Sequence, residues 1–308
     1  MFLFFVILVA SLFLVIKSAN FAIKYSSNLS EVLNLPKHVI GFVLVAVISV
    51  LPEGFISVTS ALEKIPSFGL GTLFGSNIAD MTLVVSLVIF FSRKKIKIES
   101  HFIKNKFFYL GAISVPIILG LNGFYSRLEG VLLILAGLTF YYIILRKNIH
   151  SAKIDREKFK IRHVVFLILS IGGLIFGSNL TVKYGVYLAQ GLSINPVLIG
   201  MLIVGLGTTL PELIFSIKAA KKNCHDLALG DILGTVIADA TIIVGIMALI
   251  HPFSFNMRLI YVTGLFMFAG MLLLFHFMKS DRAVSKKEGF LLLAFYFVFV
   301  LTEFFINR

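Results

Sequence analysis

Apolar runs of roughly 20 residues, separated by short polar stretches, recur along the whole chain, near 2–25, 38–63, 67–92, 104–121, 125–146, 162–190, 194–220, 226–250, 256–278 and 286–305. About 20 apolar residues are what a helix needs to cross the ~30 Å hydrocarbon layer. The pattern predicts an all-α membrane protein with ten transmembrane helices, five in 1–146 and five in 162–308. A basic connection, 147–161, joins the halves. Small residues at Ser18-Ala19-Asn20 resemble a signal-peptide cleavage point. No basic stretch precedes the first run, however, and its counterpart at about 164–190 lies inside the chain, so a retained helix is expected.

Two of the runs carry the same interruption. Ser49-Val50-Leu51-Pro52-Glu53 in the second is echoed by Thr208-Thr209-Leu210-Pro211-Glu212 in the seventh, 159 positions later. The same offset superimposes Asn20 on Asn179, Lys24 on Lys183, Gly41 on Gly200, Ser57 on Ser216, Gly75 on Gly234 and Asp80 on Asp239. The chain therefore reads as a duplication. An odd number of spans per copy starts the second copy on the opposite side of the membrane. The copies are then expected to be inverted, an arrangement that places a site near the midplane at the repeat interface.

Composition agrees. Of 308 residues, 58% are hydrophobic and only 14% charged, with a mean hydropathy of +1.00, which leaves no room for a large soluble domain. The net charge of +13 does not point to nucleic acid, because the basic residues sit in loops rather than along one amphipathic face. Loops after odd-numbered runs hold nearly all of them: Arg93, Lys94, Lys95, Lys97, Lys104 and Lys106, then the 147–161 set, then Lys218, Lys221 and Lys222, then Lys279, Arg282, Lys286 and Lys287. Loops after even runs show Lys64, Arg127 and Arg258. The positive-inside rule predicts a cytoplasmic linker and extracellular termini. The lone Cys224 forms no intramolecular disulfide.

The chemistry lies in the interruptions. Pro52 and Pro211 lack the amide that would bond the carbonyls of Ile48 and Gly207, which bends each helix. Freed backbone oxygens at membrane depth are tolerated where protein, water or a cation satisfies them. Glu53 and Glu212 follow at once, and a carboxylate at the bilayer centre costs ~2.5–3.5 kcal/mol on insertion scales. Ser49 precedes Glu53 by four residues, Thr208 and Thr209 precede Glu212 by four and three, Ser76 precedes Asp80 by four, and Thr235 precedes Asp239 by four. Each hydroxyl thus shares a helical face with its acid. Gly71, Gly75, Gly230 and Gly234 permit close helix approach. Such an all-oxygen set suits a hard cation, Ca²⁺ or Na⁺, over a soft metal. Asn77 reads equally as ligand or as helix-packing amide, and Asp231, opposite Thr72 across the repeat, equally as a helix-start or pore-mouth residue or as ligand. Lys24 and Lys183 are expected to snorkel at span ends, the seven His to lie mostly in loops, and the Phe-rich faces to meet lipid or pack.

At these residues the chain resembles the cation/Ca²⁺ exchanger superfamily, in particular its Na⁺/Ca²⁺ exchanger branch. The signatures are Ile48-Ser49-Val50-Leu51-Pro52-Glu53 with Gly75-Ser76-Asn77-Ile78-Ala79-Asp80, and Gly207-Thr208-Thr209-Leu210-Pro211-Glu212 with Gly234-Thr235-Val236-Ile237-Ala238-Asp239. The resemblance implies that Glu53 and Glu212 are central ligands of Ca²⁺ and Na⁺, with Asp80 and Asp239 beside them. Ser49, Thr208, Thr209, Ser76 and Thr235 would supply hydroxyls, and Ala46 and Gly205 carbonyls. It further implies that the first and sixth spans slide against the other eight to expose the site alternately. Ile48 and Val50 depart from the Gly and hydroxyl of the family pattern. Asp stands at both 80 and 239, where many members have one Asn, and Thr72 and Asp231 replace another Asn.

The expected activity is electrically coupled antiport of Ca²⁺ against Na⁺ by alternating access, with no enzymatic reaction and no cofactor. The expected partners are the lipid bilayer and inorganic cations, without nucleic acid, in a protein functional as a monomer in a prokaryotic plasma membrane. Four ionised carboxylates would carry −4 against +2 from one Ca²⁺ or +3 from three Na⁺, so at least one is expected to hold a proton in some transport states. That keeps Ca²⁺/H⁺ or Na⁺/H⁺ exchange as the alternative. A cation channel would show flux without counter-ion dependence. An intramembrane aspartyl protease could use Asp80 and Asp239 but leaves the two Glu residues without a task.

Overall fold

The computed structural model describes residues 1–32, 49–92, 96–97, 100–145, 161–221, 225–279 and 283–306. The first half of the second apolar run, including Ala46 and Ile48, and nearly all of the basic linker lie outside these residues. The described chain is almost wholly helical. In order come α1 (Phe2–Val32), α2 (Leu51–Leu62), α3 (Pro66–Phe91), strand β1 (Ile96–Lys97), a short helical turn Ser100–Lys104 leading into α4 (Lys106–Asn122), strand β2 (Phe124–Tyr125) and α5 (Arg127–Leu145). The second half has α6 (Ile161–Gly191), α7 (Pro196–Lys221), α8 (225–250), strand β3 (Phe253–Ser254), α9 (Leu259–Lys279), strand β4 (Ala283–Val284) and α10 (Lys286–Ile306). Among the described residues seven helices, α1, α3, α6, α7, α8, α9 and α10, are long and apolar enough to cross a membrane. With 31 residues each, α1 and α6 outrun their predicted spans. At 1.5 Å per residue they measure ~46 Å, longer than the hydrocarbon layer is thick.

Local chemistry sets the helix starts. Pro66 and Pro196 occupy first turns, where a missing amide costs nothing, and the Asn195 side chain accepts from the Val197 amide at 3.0 Å. Ser126 with Glu129 and Ser285 with Glu288 form reciprocal capping boxes at the starts of α5 and α10. The glutamate takes the serine amide at 2.7 Å in each, and the serine hydroxyl takes the glutamate amide at 3.2 and 3.4 Å. These pairs are 159 positions apart, like the signatures.

The strands tie the two halves together. β1 pairs antiparallel with β4, Ile96 opposite Val284, and β2 with β3, Phe124 opposite Ser254. One pair joins the end of α3 to the start of α10. The other joins the connection between α4 and α5 to that between α8 and α9. The buried Tyr125 hydroxyl donates to the Pro116 carbonyl at 2.6 Å and locks β2 onto α4.

α3 and α8 form the centre, each 83% buried over its apolar stretch, against 33% for α1 and 28% for α6 and α10. The apolar interior falls into two clusters. The larger runs through α3, α8, α4, α5, α9 and α10. The smaller is built mainly by α1 and α6, with Ile56, Phe68, Ile199 and Val204 at its border. Along the α1–α6 seam, Ser11 and Thr181 share a hydrogen bond of 2.9 Å, Tyr25 stacks on Phe166 at 4.8 Å, and Gly173 lies against Ser18. α3 and α7 meet backbone to backbone. A Cβ added at Gly75 would stand 2.3 Å from the Met201 carbonyl oxygen, and one at Gly200 would stand 2.4 Å from that of Phe68. Without a hydrophobic drive between helices in lipid, such small-residue contacts are where membrane helices gain packing energy.

A candidate cation site between the broken helices

Both proline–glutamate motifs lie at helix starts. Pro52 and Glu53 are in the first turn of α2. In α7 a short helix ends at Thr208, the chain turns at Thr209, and a new helix runs from Leu210 with Pro211 and Glu212 in its first turn. The interruption predicted from Pro211 is therefore present, and each carboxylate sits where a helix presents its positive dipole end. Asp80 and Asp239 lie at a second kind of irregularity. α3 changes to a π-helical turn over Asp80–Val84, and α8 does so over Ala238–Ile243. Next to them Thr82 and Thr241 each donate to the carbonyl four residues back at 2.5 Å. Such turns insert a residue into the helix and redirect the side chains beyond it.

These elements bring the four predicted acids together in the interior. Glu53, Asp80 and Asp239 are fully buried, Glu212 is 1% exposed, and each lies within electrostatic reach of at least two other acids of the site. The nearest hydroxyl to Glu53 is that of Thr208, yet by hydrogen-bond geometry none of the eight carboxylate oxygens has a partner among the described residues. Buried polar atoms in proteins nearly always have one, and leaving charged atoms without costs several kcal/mol. Among the described residues no three acidic, His or Cys side chains converge tightly enough to hold one metal ion by themselves. Hydroxyl and carbonyl oxygens must complete the six to eight ligands a hard cation takes.

The predicted hydroxyls divide into two kinds. Thr208, Thr209 and Ser76 each donate to the carbonyl three residues back, those of Gly205, Leu206 and Leu73, at 3.0 Å. Their lone pairs stay available, since a hydroxyl has one proton and two acceptor sites. The buried Thr235 hydroxyl has no hydrogen-bond partner among the described residues. The Ser49 hydroxyl donates to Asp231 Oδ1 at 2.7 Å. The Gly205 carbonyl already accepts the Thr208 hydroxyl and the Thr209 amide, the latter at 3.2 Å.

Two residues outside the predicted set join the site. Asp231 is 3% exposed and in electrostatic contact with Glu53, Asp80 and Glu212. The spacing Asp231, Thr235, Asp239, four residues each, was the signal for it in the sequence, because it puts all three on one helix face. Tyr141 of α5 donates to the Gly234 carbonyl at 2.7 Å and lies near both Asp239 and Asp231. Nothing in the sequence distinguished it from the other aromatics. Asn77 behaves as a packing amide on one side, its Nδ2 donating to Met267 Sδ at 3.8 Å, while Oδ1 has no partner. Lys24 and Lys183 are exposed and lie over Tyr25 and Tyr187, as snorkelling side chains do. Beside the site an apolar crevice of about 460 Å³ has Gly54 and Ala238, the chain neighbours of Glu53 and Asp239, in its wall.

The sequence pattern of the family described as sodium/calcium exchanger protein matches residues 3–146 and again 162–305. The chain belongs to this family. It is thus a multi-pass membrane antiporter of the cation/Ca²⁺ exchanger superfamily. It is similar to the sodium/calcium exchanger MaX1 of Methanosarcina acetivorans, 24% identical over 98% of this chain and 99% of that protein. Its structure is similar to that of the sodium-calcium exchanger NCX_Mj soaked with Na⁺ and Sr²⁺, at a TM-score of 0.69 and 25% identity over 96% of this chain and 97% of that one. The fold is shared with an H⁺/Ca²⁺ exchanger, CAX, at a TM-score of 0.81 and 17% identity over 97% of this chain and 82% of the other.

Proposed function

We propose that this antiporter exchanges Ca²⁺ for Na⁺ at the carboxylate cluster, by alternating access. The observation that carries the reading is the set of eight buried carboxylate oxygens on Glu53, Asp80, Glu212 and Asp239 without hydrogen-bond partners among the described residues. In a low-dielectric interior such a set needs cations, and net charge must be exchanged rather than removed. Glu53 and Glu212 are the central ligands, and Asp80 and Asp239 complete the charge. Ser49, Ser76, Thr208, Thr209 and Thr235 supply neutral oxygens, with the carbonyls of Ala46 and Gly205. Similarity to MaX1 and NCX_Mj, both sodium/calcium exchangers, favours Na⁺ as the coupling ion.

The architecture we infer is ten membrane helices in two inverted repeats, 1–146 and 162–308, joined by the basic segment 147–161 on the cytoplasmic side. Three features support it: the capping boxes 159 positions apart, the π-helical turns at Asp80 and Asp239, and the crossed strand pairs. β1–β4 and β2–β3 lie at opposite ends of α4, so α3 ends on the β1–β4 side and α8 on the other. The moving part is the α1–α6 pair, whose apolar cluster also takes in Ile56, Phe68, Ile199 and Val204 of neighbouring helices. Basic loops on the β1–β4 side make that side cytoplasmic.

A second reading, with H⁺ as the coupling ion, is favoured by Asp at both 80 and 239. Uptake of radioactive Ca²⁺ into proteoliposomes decides between them. Uptake driven by an outward Na⁺ gradient supports Na⁺/Ca²⁺ exchange. Uptake driven by an outward proton gradient alone assigns the chain to proton coupling, and Ca²⁺ flux without any counter-ion dependence overturns antiport of Ca²⁺ altogether.

A further inference from the structure

We propose that Asp231 and Ser49 form a cation subsite on one of the two approaches to the central carboxylates, the approach from the β1–β4 side. The subsite rests on the exchanger reading of the central site. Its geometry comes from two helices of different halves. The Ser49 hydroxyl donates to Asp231 Oδ1 at 2.7 Å, and the buried Asp231 Oδ2 has no hydrogen-bond partner among the described residues. With its hydrogen bond donated to the acid, Ser49 presents its lone pairs, held in one orientation by the carboxylate behind them. One turn further along α8 stands Thr235, also buried and without a hydrogen-bond partner among the described residues, and one turn beyond it Asp239. Asp231, Thr235 and Asp239 are therefore a ladder of oxygens on one helix face, with steps of ~6 Å, leading inward from the end of α8 nearest β1 and β4.

The equivalent approach on the other side lacks this acid. The offset of 159 maps Ser49 on Thr208 and Asp231 on Thr72. There both hydroxyls turn back on their own helices, Thr72 to the Phe68 carbonyl and Thr208 to the Gly205 carbonyl, each at 3.0 Å. A repeat symmetric in its central acids is thus asymmetric in its approaches, and only one of them offers a carboxylate. Carboxylate with hydroxyl is a hard-oxygen pair, suited to Ca²⁺ before a soft metal. The subsite holds the arriving ion at Asp231, at the edge of the central set with which it shares Ser49, and raises the affinity for cations from that side alone.

The test has two arms. In the first, binding of radioactive Ca²⁺ to the purified full-length protein is measured for wild type, Asp231→Asn and Asp231→Glu, with Glu53→Gln as the central-site reference. Asp231→Asn is expected to weaken binding about tenfold, the scale of one nearby charge lost at intermediate dielectric, and Asp231→Glu to restore most of it. Asp231→Thr, which copies the other repeat, stands in if the Asn variant does not fold. In the second arm the half-saturating Ca²⁺ for flux is measured on each face of sealed vesicles. Lys287→Cys in a Cys224→Ser background, probed with an impermeant thiol reagent, identifies the β1–β4 face. The loss is expected on that face only. Unchanged binding, a loss as complete as that of Glu53→Gln, or equal losses on both faces each overturn the subsite. If wild type binds Ca²⁺ but shows no Na⁺-driven flux, Na⁺ coupling fails while the binding arm still decides the role of Asp231.

Discussion

Gly75 and Met201 lie so close that a methyl group on the glycine would stand 2.3 Å from the methionine carbonyl oxygen. The two residues belong to α3 and α7, the helices that carry Asp80 and Glu212. Backbone cannot yield as a flexible side chain does, so Gly75→Ala must part the helices. We expect a loss of about 1–3 kcal/mol in stability, the usual cost of overpacking, and a larger loss of transport than Gly111→Ala, where an added Cβ meets nothing within 4 Å. Thermal unfolding in detergent and proteoliposome flux on the same preparations check this.

Glu53→Gln and Glu212→Gln keep the shape of the buried side chain and remove its charge. Each is expected to reduce Ca²⁺ flux at least about 100-fold, the weight of roughly 3 kcal/mol of lost charged interaction, while the protein elutes as wild type on size exclusion. Retained flux in either variant contradicts the central role given to that residue.

Protons compete with cations for the same carboxylate oxygens, so flux is expected to fall as the medium is made acidic and to rise again when it is made alkaline. Asp80→Asn removes one of the competing oxygen pairs from proton binding. Its flux should respond less steeply to pH than that of wild type. An identical pH profile would remove Asp80 from the group that binds protons.

Two hydroxyl pairs of equal length test the proposed sliding of α1 and α6. Ser11 and Thr181 join α1 to α6 at 2.9 Å, whereas Thr59 and Ser178 join α2 to α6 at 2.9 Å. Cysteines at either pair come close to disulfide spacing. In a Cys224→Ser background, oxidation of Thr59→Cys with Ser178→Cys is expected to stop exchange until a reductant is added. Oxidation of Ser11→Cys with Thr181→Cys should leave exchange running. The opposite pattern would mean that α1 and α6 move past each other rather than together.

Glu303 is a buried membrane carboxylate that, unlike the four acids of the site, accepts a side-chain hydrogen bond. It lies on α10, 1% exposed, and accepts a hydrogen bond from Thr263 of α9. Position 144, its counterpart in the first half, is Ile. Thr263→Val is expected to lower stability by about 1–2 kcal/mol and to leave the cation dependence of flux unchanged.

NCX_Mj is the more similar of the two solved exchangers in sequence, at 25% against 17% identity, yet the backbone lies nearer to the H⁺/Ca²⁺ exchanger, with a TM-score of 0.81 against 0.69. Overall helix arrangement and kinship thus rank the two differently. The coupling ion has to be argued from side chains such as Asp80.

Much of the site was legible because its signals are local. Pro211 removes an amide wherever it stands in a helix, and the break at Thr209 follows from that alone. Carboxylates at matched positions in apolar runs are too costly to be incidental. The same chain does not reveal which helix faces meet. In lipid every apolar face is satisfied by hydrocarbon as well as by another helix, so hydropathy is indifferent to the packing order.

Sequence alone therefore determined the helical membrane class, the matched acids at 53, 80, 212 and 239, and the hydroxyls on their faces, because periodicity and residue cost act within a single helix. Tertiary structure decided what lies between helices. It paired Ser49 with Asp231, placed Tyr141 on the Gly234 carbonyl, gathered α1 and α6 into their own cluster, and joined two-residue strands too short to carry a pattern. These depend on contacts between residues as far apart in the chain as Ile96 and Val284, and only the close packing of small residues at particular crossings selects them.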